Sequence, residues 1–236
     1  MKKISLIFSC FNEEHNPFFI KALKLYSSNK NLELICIDGG STDKTLSIIE
    51  QYPNIIYASL ANSSRAARLN LGLQYATGDI IILHHPRSIL SLDAFKQLES
   101  LKSDTWGGFT HCFDHSGLLY SFTSWYSNHI RLRYKQIVYL DHCIFLHKQF
   151  LTYQPLFEDV KIFEDTLLSN KLKQYAKPIL LPAISTTSSI RFKKNGLFKQ
   201  ALLNQIAKIL FIVGIHPNSI DKLYEKNLSL NSRYQK

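Results

Sequence analysis

The sequence predicts an α/β protein built on a mostly parallel sheet flanked by helices. Three observations carry that prediction. Short, very apolar runs alternate with segments of helical period through residues 4–84. The run Leu34-Ile35-Cys36-Ile37 ends in Asp38-Gly39-Gly40-Ser41-Thr42-Asp43, an apolar strand that delivers a carboxylate to a glycine turn and a helix start. The 236 residues are 45% hydrophobic with only 9 Gly and 7 Pro, enough for one good core without linker, repeat or low-complexity stretch.

The elements follow in order. Residues 4–10 read as a buried strand. The opening Met1-Lys2-Lys3 and the apolar run to Phe11 imitate a signal peptide, but the run is short, lacks a small-residue cleavage site and passes straight into Asn12-Glu13-Glu14. Asn16 caps a helix with Pro17 at its first position, and Phe19, Ala22, Leu23 and Tyr26 recur at helical spacing. A strand over 33–38 leads to a helix over 43–52, then to a short strand at 55–59. Residues 64–76 form a helix with Ala66, Leu69, Asn70 and Leu73 on one stripe; Thr77-Gly78 stops it, and Asp79 opens the apolar strand 80–84. In such sheets ligands bind outside the carboxyl ends of the strands, where Asn12, Asp38 and His84 fall.

The second half is less regular. A strand is expected at 107–113, an aromatic and basic helix with irregular flanks at 118–135, and a strand from Asp141 to Leu146. A helix opens at Phe163-Glu164-Asp165 and runs to Tyr175, followed by a short strand at 178–182. Residues 197–215 form a long helix with a narrow polar stripe, Gln200, Asn204 and Lys208, and an otherwise apolar circumference that needs a broad partner.

The net charge of +10 is unevenly placed: residues 191–236 hold nine Lys/Arg against two Asp/Glu. That excess suits an anionic partner such as a lipid surface, or a solvated basic tail. Nucleic acid is not an expected partner, because no recognised module or stacking platform accompanies the charge. Four scattered cysteines without a C-x-x-C pair suit a reducing compartment. No apolar stretch reaches the roughly 20 residues of a membrane-spanning helix. The expected location is therefore cytoplasmic, with peripheral contact at the inner face of the membrane as the alternative to a helix that simply packs on the sheet.

Ile4-Ser5-Leu6-Ile7 with Asn12-Glu13-Glu14, then Ile37-Asp38-Gly39-Gly40-Ser41-Thr42-Asp43, Arg65-Ala66-Ala67-Arg68-Leu69-Asn70-Leu71-Gly72 and Ala76-Thr77-Gly78-Asp79 resemble, in order and spacing, the family 2 glycosyltransferases. Asp141-His142-Cys143-Ile144-Phe145, Phe163-Glu164-Asp165 and Thr187-Ser188-Ser189-Ile190-Arg191 resemble a bacterial subgroup of that family. The likeness spans roughly residues 4–225. It implies a GT-A domain, Rossmann-like, over residues 1–190, with a nucleotide half at about 1–90 and an acceptor half at about 91–190. A basic amphipathic helical extension, 191–236, follows.

By that resemblance the partner is a nucleotide-diphosphate sugar, and the acceptor an unknown one, lipid-linked or of the cell envelope. The backbone around Cys10–Asn12, with Glu13 and the Asp38 carboxylate, would hold the nucleoside. Arg65, preferred to Arg68 for its place at the helix entrance, would fork onto the diphosphate. Asp165, with Glu164 beside it, would be the base of an inverting transfer; two acids at a helix N-terminus also simply offset the dipole. Asp141, His142 and Arg191 would lie on the acceptor side.

The family implies Mn²⁺ or Mg²⁺ held by an Asp-x-Asp motif or its equivalent, yet here the strand ends Leu83-His84-His85-Pro86-Arg87, with Pro86 at the ligand position. Three alternatives stay open: His84 or His85 binds a softer metal, Arg87 replaces the ion, or the chain binds nucleotide, or acts as a scaffold, without catalysis.

Overall fold

A computed structural model of the chain describes residues 2–153 and 155–225. Strand β1 (Ile4–Cys10) is buried at every position. Asn16 starts helix α1 (Pro17–Ser27), its Oδ1 accepting the N–H groups of Phe18 and Phe19 at 3.1 and 3.4 Å. Strand β2 (Leu32–Asp38) follows. Helix α2 (Thr45–Ile49) is shorter than the expected 43–52, because Asp43 turns its carboxylate to the N–H of Thr45 at 2.9 Å and of Glu14 at 3.0 Å. Strand β3 (Ile55–Ser59), helix α3 (Arg65–Tyr75, capped by Ser64) and strand β4 (Ile80–His84) match expectation.

Strand β5 (Ser88–Leu90) and helix α4 (Asp93–Glu99) lie where no element was expected. Strand β6 (Trp106–Phe113) leads to helix α5 (Leu118–Trp125), which continues as a π-helical segment, Tyr126–Tyr134. Asp141 belongs to a 3₁₀ turn, Leu140–His142, so strand β7 (Ile144–His147) starts later than the expected Asp141. Cys143, left-handed at φ 49, makes that corner. Helix α6 (Glu164–Leu172) and strand β8 (Ile179–Thr187, nine residues rather than five) complete the domain. Helices α7 (Ile190–Asn195), α8 (Leu197–Ile212) and α9 (Pro217–Glu225) follow.

The sheet order is β3-β2-β1-β4-β7-β6-β8-β5. Strands β1 to β4 are mutually parallel, but β7 runs antiparallel to both β4 and β6, and β5 antiparallel to β8, so the sheet is mixed. One core, with Phe8, Phe19 and Tyr26, covers one face; a second, with Ile7, Leu69 and Trp106, covers the other. Gly72 lets α3 approach the second face closely: a Cβ there would collide with Ile7 Cγ2.

Register decides where the site lies. Cys10 pairs with Asp38 and Phe8 with His84, so the loops after β1, β2 and β4 open on one rim. Because β7 is antiparallel, its entry at 140–143 meets the same rim, as do the ends of β6 and β8 at Phe113 and Thr187. The chain leaves β1 first toward β2 and later returns on its other side as β4, a switch point of the kind that opens a crevice in α/β sheets.

Candidate functional site

On the nucleotide side of the rim, two loops are laced together. Asp38, only 4% exposed, accepts the N–H groups of Gly40 and Ser41, each at 2.8 Å, and the Ser41 hydroxyl. Gly40 adopts φ +85, which favours glycine. Asn12, left-handed at φ 51, donates its N–H to Ser41 Oγ at 2.8 Å and accepts from the Thr42 N–H at 2.9 Å.

The Cys10 thiol is buried and pushed well above its ordinary value, by burial and by Cys36. The Cys10 carbonyl takes the Gly39 N–H at 2.9 Å. Glu13 accepts from Asn16 Nδ2 at 2.6 Å, and that amide also reaches the Pro86 carbonyl at 3.0 Å. All four expected residues therefore stand at the rim, and each also serves to shape the loops.

Of the two arginines of α3, Arg68 rather than the preferred Arg65 lies against the loops after β1 and β2. Arg68 crosses the nucleotide side: Nε donates to Ser9 Oγ and Nη1 to the Ser63 carbonyl, each at 2.7 Å, and its guanidinium lies where a Cβ on Gly39 would be. Arg65 instead turns to the acceptor side, where its Nε pairs with Glu164 Oε1. Glu164 is fully buried, with Oε2 unsatisfied. It anchors Arg65 and does not face a substrate, which removes it from the catalytic pair.

Next to this pair lies a cavity of about 480 Å³. Five cations line it, Arg65, Arg87, Arg131, Arg191 and Lys208, against two carboxylates, Asp141 and Asp165. The aromatic rings of Phe113, Tyr126 and Phe192 fill much of the remaining wall. Helices α7 and α8 supply Arg191 and Lys208, so the expected extension is part of the site. Its polar stripe of Gln200, Asn204 and Lys208 faces this cavity, while Phe198, Leu202, Ile206 and Ile209 face outward. That inverts the expected arrangement, in which the apolar circumference found the partner surface.

Asp165 sits at the start of α6. Its Oδ2 accepts the Leu140 N–H at 3.1 Å. Burial, then the adjacent Glu164, raise its carboxyl to about 7, against the pull of Arg65 and that N–H. Phe163, before it, is held left-handed at φ 65 and stacks on Phe211 of α8 at 4.6 Å. Asp141 also faces the cavity. Burial would raise its carboxyl, but His85, His111, Arg191 and His142 outweigh it and hold it at about 2. Of those four groups, Arg191 is the one still charged at neutral pH, since burial lowers the histidines to about 3 or 4.

The histidines divide. His84 is a core residue: it packs on Phe8, its Nδ1 reaches the His85 carbonyl at 3.0 Å, and Nε2 lies 3.3 Å from the Tyr26 hydroxyl. His142 is fully buried, bonded to the Phe109 carbonyl at 2.9 Å and Ser127 Oγ at 2.8 Å, so it supports the acceptor side without facing it. His85 lines the cavity, but its Nδ1 accepts the Arg87 N–H at 3.1 Å and stands 3.9 Å from Asp141 Oδ1. With His85 neutral, that approach is not an ion pair.

Among the described residues no three His, Cys, Asp or Glu side chains are placed to hold a metal ion together. Pro86 is buried and its carbonyl is engaged by Asn16. A hard divalent ion needs only one or two carboxylates when substrate phosphates and waters complete its shell; proline supplies none, and the nearby donors lining the cavity, His85 and Asp141, lack the paired carboxylates of that motif.

Arg68, the alternative to Arg65, stands at the nucleotide loops, and Arg131, Lys208 and His111 join the cavity without an expected role there. The basic character of 118–135 signalled Arg131; nothing in the sequence signalled His111.

Comparison with known proteins now bears on these features. Residues 5–98 match the model of Glycosyl transferase family 2. An uncharacterized glycosyltransferase of Haemophilus influenzae is 33% identical over 127 residues, covering 48% of this chain and 49% of that protein. The chain thus spans about half the length of that relative.

The mannosyltransferase PcManGT from Pyrobaculum calidifontis, solved with GDP-Man and Mn²⁺, superposes with a TM-score of 0.63 at 18% identity, over 87% of this chain and 61% of that one. TarS residues 1–349 of S. aureus, solved with UDP-GlcNAc, gives 0.63 at 16%, over 96% and 71%. Glucosyl-3-phosphoglycerate synthase of Mycobacterium tuberculosis, solved with Mn²⁺, UDP and glucosyl-3-phosphoglycerate, gives 0.59 at 17%, over 91% and 81%. Residues 5–98 thus carry the likeness to Glycosyl transferase family 2, and the curled, helix-flanked sheet has the GT-A fold of these solved glycosyltransferases.

Proposed function

We propose that the chain transfers a sugar from a nucleotide-diphosphate donor to an acceptor bound in the 480 Å³ cavity, with inversion at the anomeric carbon. The observation that carries this reading is Asp165, a carboxylate raised to about 7 that faces a cation-lined cavity beside the nucleotide rim. The nucleoside would lie over the Asn12 and Asp38–Ser41 loops, with Arg68 beside it. Asp165 would take the acceptor hydroxyl proton as that oxygen attacks. Arg87 would face the diphosphate and stabilise the charge of the leaving group as a fixed cation, so the reaction would not depend on a metal.

Arg87→Ala is expected to lower transfer by about 10²- to 10³-fold. Calorimetric titration of UDP, GDP and their sugars, with and without Mn²⁺ or Mg²⁺, tests the donor part. Tight binding indifferent to metal supports Arg87 in the ion's place, and metal-dependent binding sinks that assignment. Binding of none of them would favour the second reading, a silent scaffold protein, whose support is that Pro86 supplies no metal ligand.

The acceptor we propose is lipid-linked or of the cell envelope, reached at the inner face of a membrane. What supports this is the outward face of α8, where Phe198 is 83% and Leu202 62% exposed, flanked by the exposed Lys193 and Lys199. No helix among the described residues is long and apolar enough to cross a membrane. Cosedimentation with phosphatidylserine vesicles is expected for the native chain and should be lost in the double variant Phe198→Glu, Leu202→Glu. Unchanged cosedimentation of that variant would remove α8 from the contact.

A further inference from the structure

The cations of the cavity are not all accounted for by the transfer chemistry. Arg65 is neutralised by Glu164, and in the proposed function Arg87 is assigned to the donor diphosphate. Arg131, Arg191 and Lys208 remain, contributed by the π-helical segment, α7 and α8 respectively. Among the described residues none of the three has a carboxylate within 4.0 Å. Arg131 is held in place, its guanidinium 4.0 Å from the Tyr139 ring centre and donating to Ser127 Oγ at 3.1 Å. It is therefore a fixed charge rather than a flexible surface one.

His111 adds an independent observation. It lines the same cavity, is only 4% exposed, and has no hydrogen-bond partner at either ring nitrogen. A buried imidazole left unsatisfied is costly, and a ligand with both acceptor and donor oxygens would recover that loss. Lys208 tells the same story: burial, then Arg131 and Lys135, lower its amine to about 7, and an anion beside it would restore the charge. Two carboxylates stand against these groups: Asp141, held well down by its basic neighbours, and Asp165, raised to about 7.

We propose that the acceptor carries a phosphate group, seated between Arg131, Arg191 and Lys208 with His111 as an additional hydrogen-bond partner. This rests on the transferase reading for the word acceptor, but the anion site itself does not. A phosphomonoester brings a charge of about −1.5 to −2 and three acceptor oxygens, which matches three converging cations where a single carboxylate would leave charge uncompensated. The acceptor hydroxyl would then be presented to Asp165 from the same cavity, with the phosphate fixing its orientation.

The probes are inorganic phosphate, glycerol 3-phosphate and vesicles containing phosphatidic acid, titrated into the full chain held saturated with UDP. A separate UDP titration reports on the donor reading alone. Lys208→Met removes one cation while keeping the length and apolar stem of the side chain; its melting temperature verifies that it folds.

Binding of glycerol 3-phosphate that weakens about tenfold or more in Lys208→Met supports the proposal with a water-soluble source of the phosphate. Binding of the vesicles alone, lost in the same variant, supports it with a lipid source. Failure of all three probes to bind overturns it, even where UDP binds. So does binding that Lys208→Met leaves unchanged, or that saturating UDP abolishes, since the phosphate would then occupy the donor diphosphate position.

Discussion

Replacing Asp165 by Asn is expected to lower kcat for sugar transfer by about 10²- to 10⁴-fold while leaving donor binding intact, because the amide keeps the shape and the Leu140 contact but cannot take a proton. The pH profile of the native chain should carry the signature of the same group. Burial and Glu164 raise Asp165 to about 7, so activity should rise with pH through that value as the base is freed.

Stability should run the other way. The folded state keeps this proton up to about pH 7, whereas the unfolded chain releases it near the ordinary 3.8. Between these values the folded state binds more protons, and the contribution of Asp165 to stability falls as pH rises. Asp165→Asn should therefore melt no lower than the native chain at pH 8 while being inactive. A folded variant with native activity would exclude Asp165 as the base.

The second large effect is on stability. Arg65→Ala is expected to cost about 3–5 kcal/mol, since it abandons the Glu164 carboxylate in a fully buried place. Urea unfolding reads this directly. In the double variant Arg65→Met, Glu164→Gln, most of the loss should be recovered, because the charge and its counter-charge leave together. Additive losses in that cycle would show that the two side chains act independently. Arg65→Ala should also move the activity limb to higher pH, because Arg65 is one of the groups that hold the Asp165 carboxyl down.

The first half of the fold is legible in the residues because each element carries a local signal. Asn16-Pro17, Ser64 and Thr77-Gly78 mark helix ends, and the apolar runs at 4–10, 34–38 and 80–84 mark buried strands. Strand direction is not local. That β7 runs against β4 depends on how the chain returns from β6, and no residue in Ile144–His147 announces it.

The site divides in the same way. Asp38, Arg87, Asp141 and Asp165 stand at loops that the order of elements already places on one rim. That Arg65 turns away from the loops after β1 and β2 depends on a distant partner, Glu164, 99 residues away, which no helical pattern could reveal. The polar stripe of α8 was read correctly as a stripe, but which of its two faces meets the protein is decided by the cations and acids of the cavity, not by hydrophobicity within the helix.

Pro86 has a consequence for how this chain could change. It is buried, its carbonyl is held by the Asn16 amide, and that amide also holds the buried Glu13. That bond goes to the backbone carbonyl, which any residue at 86 would supply, so the loop does not depend on proline for it. What proline alone brings is a fixed φ and no N–H. An aspartate at 86 would keep the Asn16 contact and set a carboxylate next in sequence to Arg87, so whether that charge meets an ion or the guanidinium is decided by Arg87.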